Sequence, residues 1–216
     1  MTTGIAAVVF DFGGVLWNMR WDVARELEDG HGLPRRALTE TLYDTPTWRA
    51  LERGRGDRTA WLEEAHRLLE IGAGRPLPRL HDAWRARQHA IDETIALVRA
   101  LRTSYRTAIL SNSDASLPAR LQDLRIHDLF DVVVCSGEVG LAKPEPAVYR
   151  LAAERLGLAP GTCVFVDDSE PNVRAAETVG MRAVHFRVDR GDDLTALLAR
   201  HGVDPSEGGT ITRGDP

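Results

Sequence analysis

Short apolar runs alternate with segments of helical composition along most of this chain. The runs lie at residues 5–10, 107–110, 132–135, 162–166 and 181–186. Because each run is apolar at consecutive positions and rich in β-branched residues, it is typical of a strand that is buried on both faces. Helices are predicted at residues 116–124, 145–156, 171–178 and 192–200. This alternation predicts an α/β fold with a Rossmann-like, doubly wound parallel sheet.

The segment from residue 17 to about residue 102 breaks the alternation. It contains no β-branched run, and its apolar residues recur at helical spacing, as they do between Trp61 and Leu69. Glycine- and proline-containing breaks divide it into about four helices. We therefore predict a core of residues 1–16 and 103–201 with an inserted α-helical module of residues 17–102. The polar, glycine-rich segment 202–216 is expected to be disordered.

Composition and charge narrow the classes of function. The chain has 216 residues, of which 43% are hydrophobic, and this is enough for a sizeable core. Its formal charge of −5 and its pI near 5.8 argue against binding to nucleic acid or to an anionic membrane, because the chain has no basic field to offer. A small-molecule partner is predicted instead. The sequence carries no signal for an oligomeric state.

The amino terminus and the cysteines indicate a cytoplasmic protein. The apolar run that begins at Ile5 is interrupted by Asp11, so neither a signal peptide nor a transmembrane helix is predicted. The two cysteines, Cys135 and Cys163, lie in apolar runs and lack the spacing of a zinc site or a disulfide framework. We predict that both are reduced residues of the protein interior.

Polar residues that could take part in catalysis or ligand binding follow four of the apolar runs. They are Asp11, Ser111, Asn112, Lys143, Asp167 and Asp168. Gly13 and Gly14, behind Asp11, permit a tight turn and the close approach of a ligand. Taken singly, each feature has an ordinary structural interpretation as a turn, a helix cap or a solvated charge.

The joint pattern is more informative than its parts. In a parallel, doubly wound sheet the ends of these runs point the same way and converge on one crevice. Two like charges about 4 Å apart cost on the order of 4 kcal/mol at an effective dielectric near 20, so the adjacent Asp167 and Asp168 call for a cation. Three carboxylates, one lysine and one divalent cation carry formal charges that sum to zero. Hard oxygen ligands without clustered His or Cys favour magnesium over zinc.

Four ordered motifs resemble those of a known family. They read VVFDFGGVL around Asp11, LSNS around Ser111, GLAKPEPAVY around Lys143 and VFVDDSEPN around Asp167. From Val8 to about Phe186 the chain is similar to the haloacid dehalogenase superfamily of hydrolases, which use an aspartate as nucleophile. The predicted helical insertion matches the cap domain of that family in place and character.

The resemblance implies a role for each motif residue. Asp11 would attack phosphorus and form an aspartyl-phosphate. Ser111 and the backbone of Asn112 would hold the phosphoryl oxygens, and Lys143 would neutralise the charge that develops on them. The activity implied is hydrolysis of a small phosphorylated metabolite.

The resemblance also implies a Mg²⁺ site and supporting residues. Asp11, the Gly13 carbonyl oxygen and Asp168 would ligate the cation. Asp167 would act through a metal-bound water or by orienting Lys143. Asn172 would brace the loop that carries the two acids. The adjacent acids resemble the phosphatase branch of the family rather than the dehalogenase branch.

One position departs from the family pattern. Phosphatases of the family usually have a second aspartate two residues after the nucleophile, where it protonates the leaving group, and this chain has Gly13 there. Leaving groups of low pKa, such as those of sugar 1-phosphates and of acyl or aryl phosphates, are expected to need this acid least. Asp22, another cap residue or the substrate itself are the candidates to replace it.

Two other functions are compatible with the motifs. One is a hydrolase on the same scaffold that acts on a carbon substrate, as dehalogenases do. The other is a catalytically weak or non-catalytic member that binds a phosphorylated ligand or a partner protein.

Aromatic residues and arginines of the insertion are the candidates for substrate contacts. All five tryptophans lie there, and most are predicted to pack in a helical core. Trp17 and Trp21 follow the Asp11 turn directly and are predicted to line a pocket above it. The arginines are predicted to form a solvated face, with an anion-attracting rim as the alternative. They are Arg49, Arg53, Arg55 and Arg58.

Overall fold

The computed structural model describes residues 4–205. The strands are β1 (Ala7–Phe10), β2 (Trp17–Asn18), β3 (His89–Ala90), β4 (Arg106–Ser111), β5 (Val132–Cys135), β6 (Cys163–Asp167) and β7 (Arg182–His185). The helices are α1 (Trp21–Gly30), α2 (Ala37–Tyr43), α3 (Pro46–Leu51), α4 (Arg58–Ala73), α5 (Leu80–Arg85), α6 (Asp92–Leu101), α7 (Leu117–Asp123), α8 (Ser136–Val139), α9 (Pro146–Arg155), α10 (Glu170–Thr178) and α11 (Leu194–Ala199). Short 3₁₀ turns lie at His127–Leu129, Pro160–Thr162 and Val188–Arg190.

The predicted parallel sheet is confirmed. Its strand order is β5-β4-β1-β6-β7, and all neighbouring strands run parallel. β1 is central, so that Ala7 is paired with Arg106 on one side and with Cys163 on the other. The carboxyl ends of β1, β4, β5 and β6 therefore share one edge. Every helix within residues 4–205 is too short or too polar to cross a bilayer.

Both faces of the sheet are covered, as consecutive apolar positions require. Val8 and Phe10 on β1 belong to one hydrophobic cluster, which includes residues of α6, α7 and α11. Ala7 and Val9 belong to the other, which includes residues of α9 and α10. One free, buried cysteine lies in each cluster, as the sequence predicts.

A third hydrophobic cluster is formed by helices of the insertion, which we call the cap. It draws on α1 to α5, five helices instead of about four, and contains the buried Trp61 and Trp84. Their indole N–H groups are satisfied, because Trp61 donates to the Leu42 carbonyl at 2.5 Å and Trp84 to the Met19 carbonyl at 2.6 Å. These two tryptophans pack as predicted.

The predicted boundary of the insertion at residue 102 is wrong in one respect. Ile95, Val98 and Leu101 of α6 are buried in the sheet cluster and not in the cap cluster. Helical periodicity identifies the apolar face of α6 but not the surface that it covers. The helices that pack with one another in the cap thus end with α5.

A two-stranded antiparallel ribbon joins the cap to the sheet. Trp17 is paired with Ala90, and Asn18 with His89. The segments that lead into and out of the cap therefore run side by side. Strands of two residues leave no periodic signal, and the sequence analysis did not predict them.

The end of the described chain is docked on the core. Val203 is fully buried in the first sheet cluster, and the Asp204 backbone N–H donates to the Tyr105 hydroxyl at 3.1 Å. The expected disorder of 202–216 is therefore wrong for residues 202–205, because one apolar side chain anchors this segment. Residues 206–216 lie outside the described part of the chain.

Two of the cap arginines bridge the cap and the core. Arg53 pairs with the Glu145 carboxylate, and Arg58 Nη1 lies 2.6 Å from Asp114 Oδ2. The prediction of a solvated face is thus wrong for Arg53, which is half-buried, whereas Arg49, Arg55 and Arg58 are exposed as predicted. Both ion pairs are partly exposed, so each contributes little free energy and mainly fixes orientation.

At Gly54 the backbone of a cap loop lies against the backbone of the core. The Gly54 φ of +70° lies in the left-handed region, and a Cβ atom there would lie 2.3 Å from the Gly137 carbonyl oxygen. A side chain at this position would therefore push the cap loop away from the core.

We predict that Gly54→Ala lowers the free energy of unfolding by at least about 1 kcal/mol more than Gly74→Ala does, because of the added steric overlap. Gly74 is the matched control, since its φ is +65° and a Cβ atom there meets nothing within 4 Å. Both variants share a backbone cost of about 1–2 kcal/mol. Chemical denaturation measures the difference, and equal losses would contradict the contact.

Candidate active site

The four strand ends meet around one buried lysine. Asp11 directly follows β1, Asp167 ends β6, and Lys143 lies in the loop between α8 and α9. Lys143 Nζ lies 2.9 Å from Asp11 Oδ1 and 2.6 Å from Asp167 Oδ2. The structure thus brings Asp11 together with two residues that lie more than a hundred positions further along the sequence.

The Lys143 side chain stays charged in this setting. Burial alone would lower its pKa, but the charges of Asp11 and Asp167 raise the pKa above its usual value. Its backbone is clamped by the Asn112 side chain, which donates to the Lys143 carbonyl at 2.8 Å and accepts from its N–H at 2.8 Å. Asn112 thus positions Lys143 through its side chain, a role that the sequence motif did not indicate.

The Asp11 carboxylate is fixed from two sides. The Phe12 backbone N–H donates to Oδ1 at 2.7 Å, and Lys143 approaches the same oxygen. Burial raises the pKa of Asp11 to about 6, although Lys143 and a hydrogen bond from Ser111 lower it. Ser111 is itself buried at the end of β4. The carboxylate is therefore held in one orientation at the floor of the site.

Asp167 is engaged by protein groups and does not line the cavity beside the site. It is fully buried, and besides Lys143 it accepts hydrogen bonds from the Ser169 N–H at 2.8 Å and from Asn172 Nδ2 at 3.1 Å. Of the two roles considered for Asp167, this geometry favours the orienting of Lys143. Asn172 makes the bracing contact that the sequence analysis expected.

Asp168 has the environment of a cation ligand. Burial first, and then the charges of Asp11 and Asp167, raise its pKa to about 8. Its carboxylate packs so closely on Gly14, where φ is +78°, that a Cβ atom there would lie 2.2 Å from Oδ2. Glycine is therefore required beside this acid.

The three carboxylates fit a hard divalent cation. Asp11, Asp167 and Asp168 each offer an oxygen, and these atoms lie within 4.8 Å of one another. Lys143 pairs with Asp11 and Asp167, and the charge of Arg187 acts on Asp168, so two cations against three carboxylates leave the cluster negatively charged. All donors are oxygens, as Mg²⁺ prefers.

A cavity of about 670 Å³ opens above these residues. On the core side it is lined by Asp11, Gly13, Ser111, Asn112, Lys143 and Asp168. On the cap side it is lined by Met19, Trp21, Tyr43, Trp48 and Glu52, among others. The site thus lies between a charged floor on the core and a cap surface that carries both apolar and charged side chains.

The two predicted pocket tryptophans have different positions. Trp21 lines the cavity and packs against Trp84 at 5.4 Å between ring centroids. Trp17 faces a smaller neighbouring cavity of about 120 Å³, where it stacks on Phe12 and lies 4.0 Å below the Arg120 guanidinium. Trp48 lines both cavities, and no local motif distinguished it from the other tryptophans.

The structure shows the surroundings of Gly13, which replaces the usual second aspartate, and of Asp22, a candidate to take over its role. A Cβ atom at Gly13 would lie 3.5 Å from Met19 Sδ, so a thioether borders the space where the usual second aspartate would extend. Asp22 is ion-paired with Arg20 at 2.7 Å, its side chain is 59% exposed, and it is absent from the lining of the cavity. Asp22 is therefore the wrong candidate for the missing acid.

Glu52 is a cap carboxylate that the sequence analysis did not single out. It is buried at the cavity wall, and its Oε2 accepts a hydrogen bond from Asn112 Nδ2 at 3.1 Å. Burial raises the pKa of Glu52 above its ordinary value, which favours the protonated form. It follows α3 in a loop without a recognised motif, so only the fold reveals its position.

The chain is similar to known proteins over most of its length. The profile of the haloacid dehalogenase-like hydrolases matches residues 5–180. A phosphatase of Mycobacterium tuberculosis is 35% identical over 194 residues, which cover 86% of this chain and 88% of that protein. A sesquiterpene phosphatase of Aspergillus oryzae is 26% identical over 86% of this chain and 92% of its own length.

A solved structure has the same fold. It is a family enzyme of Bacteroides thetaiotaomicron in complex with magnesium and inorganic phosphate, with a TM-score of 0.64 and 23% identity over 90% of this chain and 99% of that chain. The resemblance found in the four motifs is thereby confirmed over most of the chain. The protein belongs to the haloacid dehalogenase-like hydrolases and is a phosphatase-like member of that family.

Proposed function

We propose that this protein is a magnesium-dependent phosphatase that hydrolyses a small phosphorylated metabolite through an aspartyl-phosphate on Asp11. The observation that carries the proposal is the Asp11 carboxylate, fixed by Lys143 and the Phe12 N–H at the floor of a cavity. The phosphatase relatives support the reaction class. A pure binding protein would have no need of a nucleophile in this position.

In the first step Asp11 attacks phosphorus. Phe12 and Lys143 occupy Oδ1, so Oδ2 is the attacking oxygen. A bond forms between Oδ2 and phosphorus while the bond from phosphorus to the leaving oxygen breaks. Lys143, the Ser111 hydroxyl and the Asn112 backbone N–H stabilise the negative charge on the phosphoryl oxygens. Water then attacks phosphorus, which releases phosphate and restores Asp11.

Asp11, Asp168 and the Gly13 carbonyl would hold Mg²⁺. The donor chemistry and the tight packing of Asp168 on Gly14 support this set. When bound, the cation offsets the repulsion between an anionic nucleophile and an anionic phosphate. Asp167 acts on the site through Lys143.

Glu52 is our candidate for the proton donor that Gly13 cannot supply. Its Oε2 accepts from Asn112, whereas its Oε1 accepts no hydrogen bond within residues 4–205 and is not among the fully buried unpaired atoms there. This oxygen is thus free to carry a proton toward the leaving group. The cap would then contribute one reacting group to a site that is otherwise built on the sheet.

We expect Asp11→Asn to lower the rate of p-nitrophenyl phosphate hydrolysis at least about a thousandfold, because the amide is not a nucleophile. Wild-type turnover should also require Mg²⁺ and stop in EDTA. Asp29→Asn is the control, since Asp29 is an exposed acid of α1 outside the cavity lining. The same turnover in Asp11→Asn as in the wild type, turnover that persists in EDTA, or halide release from a 2-haloacid without metal would contradict the proposal.

We predict that Glu52→Gln slows hydrolysis of an alkyl phosphate about a hundredfold, because the poor leaving group needs a proton. Hydrolysis of p-nitrophenyl phosphate should change much less. Glutamine keeps an oxygen that accepts from Asn112 but has no acidic proton. The measurement is kcat on both substrates.

Glu145→Gln is the matched control for this test. It weakens another carboxylate contact between cap and core, the ion pair with Arg53, and Glu145 does not line the cavity. Equal losses on both substrates in Glu52→Gln, or the same pattern in Glu145→Gln, would mean that Glu52 only holds the cap in place.

A further inference from the structure

Helix α1 presents one face to the cavity over two turns. Trp21, Ala24, Arg25 and Glu28 line the cavity, and their spacing of three, four and seven residues places them on one side of the helix. At a rise of about 1.5 Å per residue, this face is about 10 Å long. The cavity is therefore elongated along α1.

Helix α2 lines the same cavity in the opposite direction. Arg36, at its N-cap, and then Thr39 and Tyr43 are lining residues, again at helical spacing. The far ends of the two helices meet where Glu28 accepts the backbone N–H of Arg36 at 3.0 Å and that of Leu38 at 2.9 Å. We call the space between them the cap groove.

The opposite end of the cap groove lies over the catalytic residues. Met19, just before α1, is the residue whose Sδ borders Gly13. Tyr43 and Trp48 border the smaller cavity together with Ser111 and Asn112. The cap groove thus begins over the catalytic residues and extends along the α1 face, which is about 10 Å long.

The chemistry of the cap groove changes along its length. Met19, Trp21, Ala24, Tyr43 and Trp48 make the near part and the middle apolar. Arg35 and Arg36 line the far end, and Arg25 lines the cap groove about one turn of α1 before Glu28.

The positive charge at the far end exceeds what its neighbours neutralise. Arg36 has a weak partner in Glu40 at 3.3 Å, whereas Arg25 and Arg35 have no acidic partner in the described part of the chain. Both oxygens of Glu28 are used by backbone N–H groups at the start of α2. Unpaired guanidinium groups beside a cavity are suited to a carboxylate or a phosphate.

We infer that the substrate is an elongated phosphate monoester with an apolar middle and a second anionic group at its other end. This inference rests on the proposed function and names the substrate class for it. The phosphoryl group lies at Asp11, the body packs between Trp21, Tyr43 and Trp48, and the distal anion is bound by Arg25 and Arg35. A cavity of about 670 Å³ is of the size that holds such a ligand.

The test compares two esters that differ only in the distal group, 6-phosphonooxyhexanoate and hexyl phosphate. The wild-type enzyme should prefer the carboxylate-bearing ester by about tenfold or more in kcat/KM, chiefly through KM, because a charge-assisted hydrogen bond stabilises it. The double variant Arg25→Ala/Arg35→Ala should lose this preference. Arg67→Ala, which removes an exposed arginine of α4 outside the cavity lining, should keep it.

Binding to the Asp11→Asn protein, measured by calorimetry, separates this inference from the proposed function. Carboxylate-dependent binding that is lost when Arg25→Ala/Arg35→Ala is combined with Asp11→Asn, together with no turnover of any ester by the wild-type enzyme, would support the cap groove and overturn the proposed chemistry. Magnesium-dependent turnover of both esters without a preference for the carboxylate would overturn the cap groove inference alone. Equal binding of both probes, or a preference that survives in the double variant, would also overturn it.

Discussion

The active site depends on one ammonium group shared by two buried carboxylates. Removing charges from water is costly, and a buried ion pair is stable only when its remaining donors and acceptors are satisfied. Lys143 meets this condition through Asp11 and Asp167, and Asn172 and the Ser169 N–H complete the shell of Asp167. Asn112 then holds the backbone of the lysine itself. The loops at the sheet edge are thereby tied to one charged centre.

Much of this arrangement could be predicted from the sequence. Runs such as Val132–Cys135 are apolar at successive positions because both sides of the sheet are covered, and parallel topology then forces their ends to one edge. The acids, the lysine and the serine therefore met where expected. The local sequence pattern was enough to place these residues because each of them follows the end of a predicted strand.

Other features of the structure depend on tertiary contacts that the local sequence pattern does not encode. Glu52 gains its position only because the cap folds back over Asn112, and α6 covers the sheet although its periodicity equals that of a cap helix. Val203 reverses the expectation for a polar segment through a single buried side chain. In each case the sequence reveals that a residue is apolar or charged but not which surface receives it.

The paired crossing of β2 and β3 has a consequence for how this architecture can diversify. Because the chain leaves the core at Trp17 and returns at Ala90, which is paired with Trp17, the cap is inserted at a single point of the core. A different set of helices can be inserted at that point without altering the strand order or the Lys143 network. New substrate ranges can thus arise by exchange of a single module, while the sheet keeps its inherited chemistry.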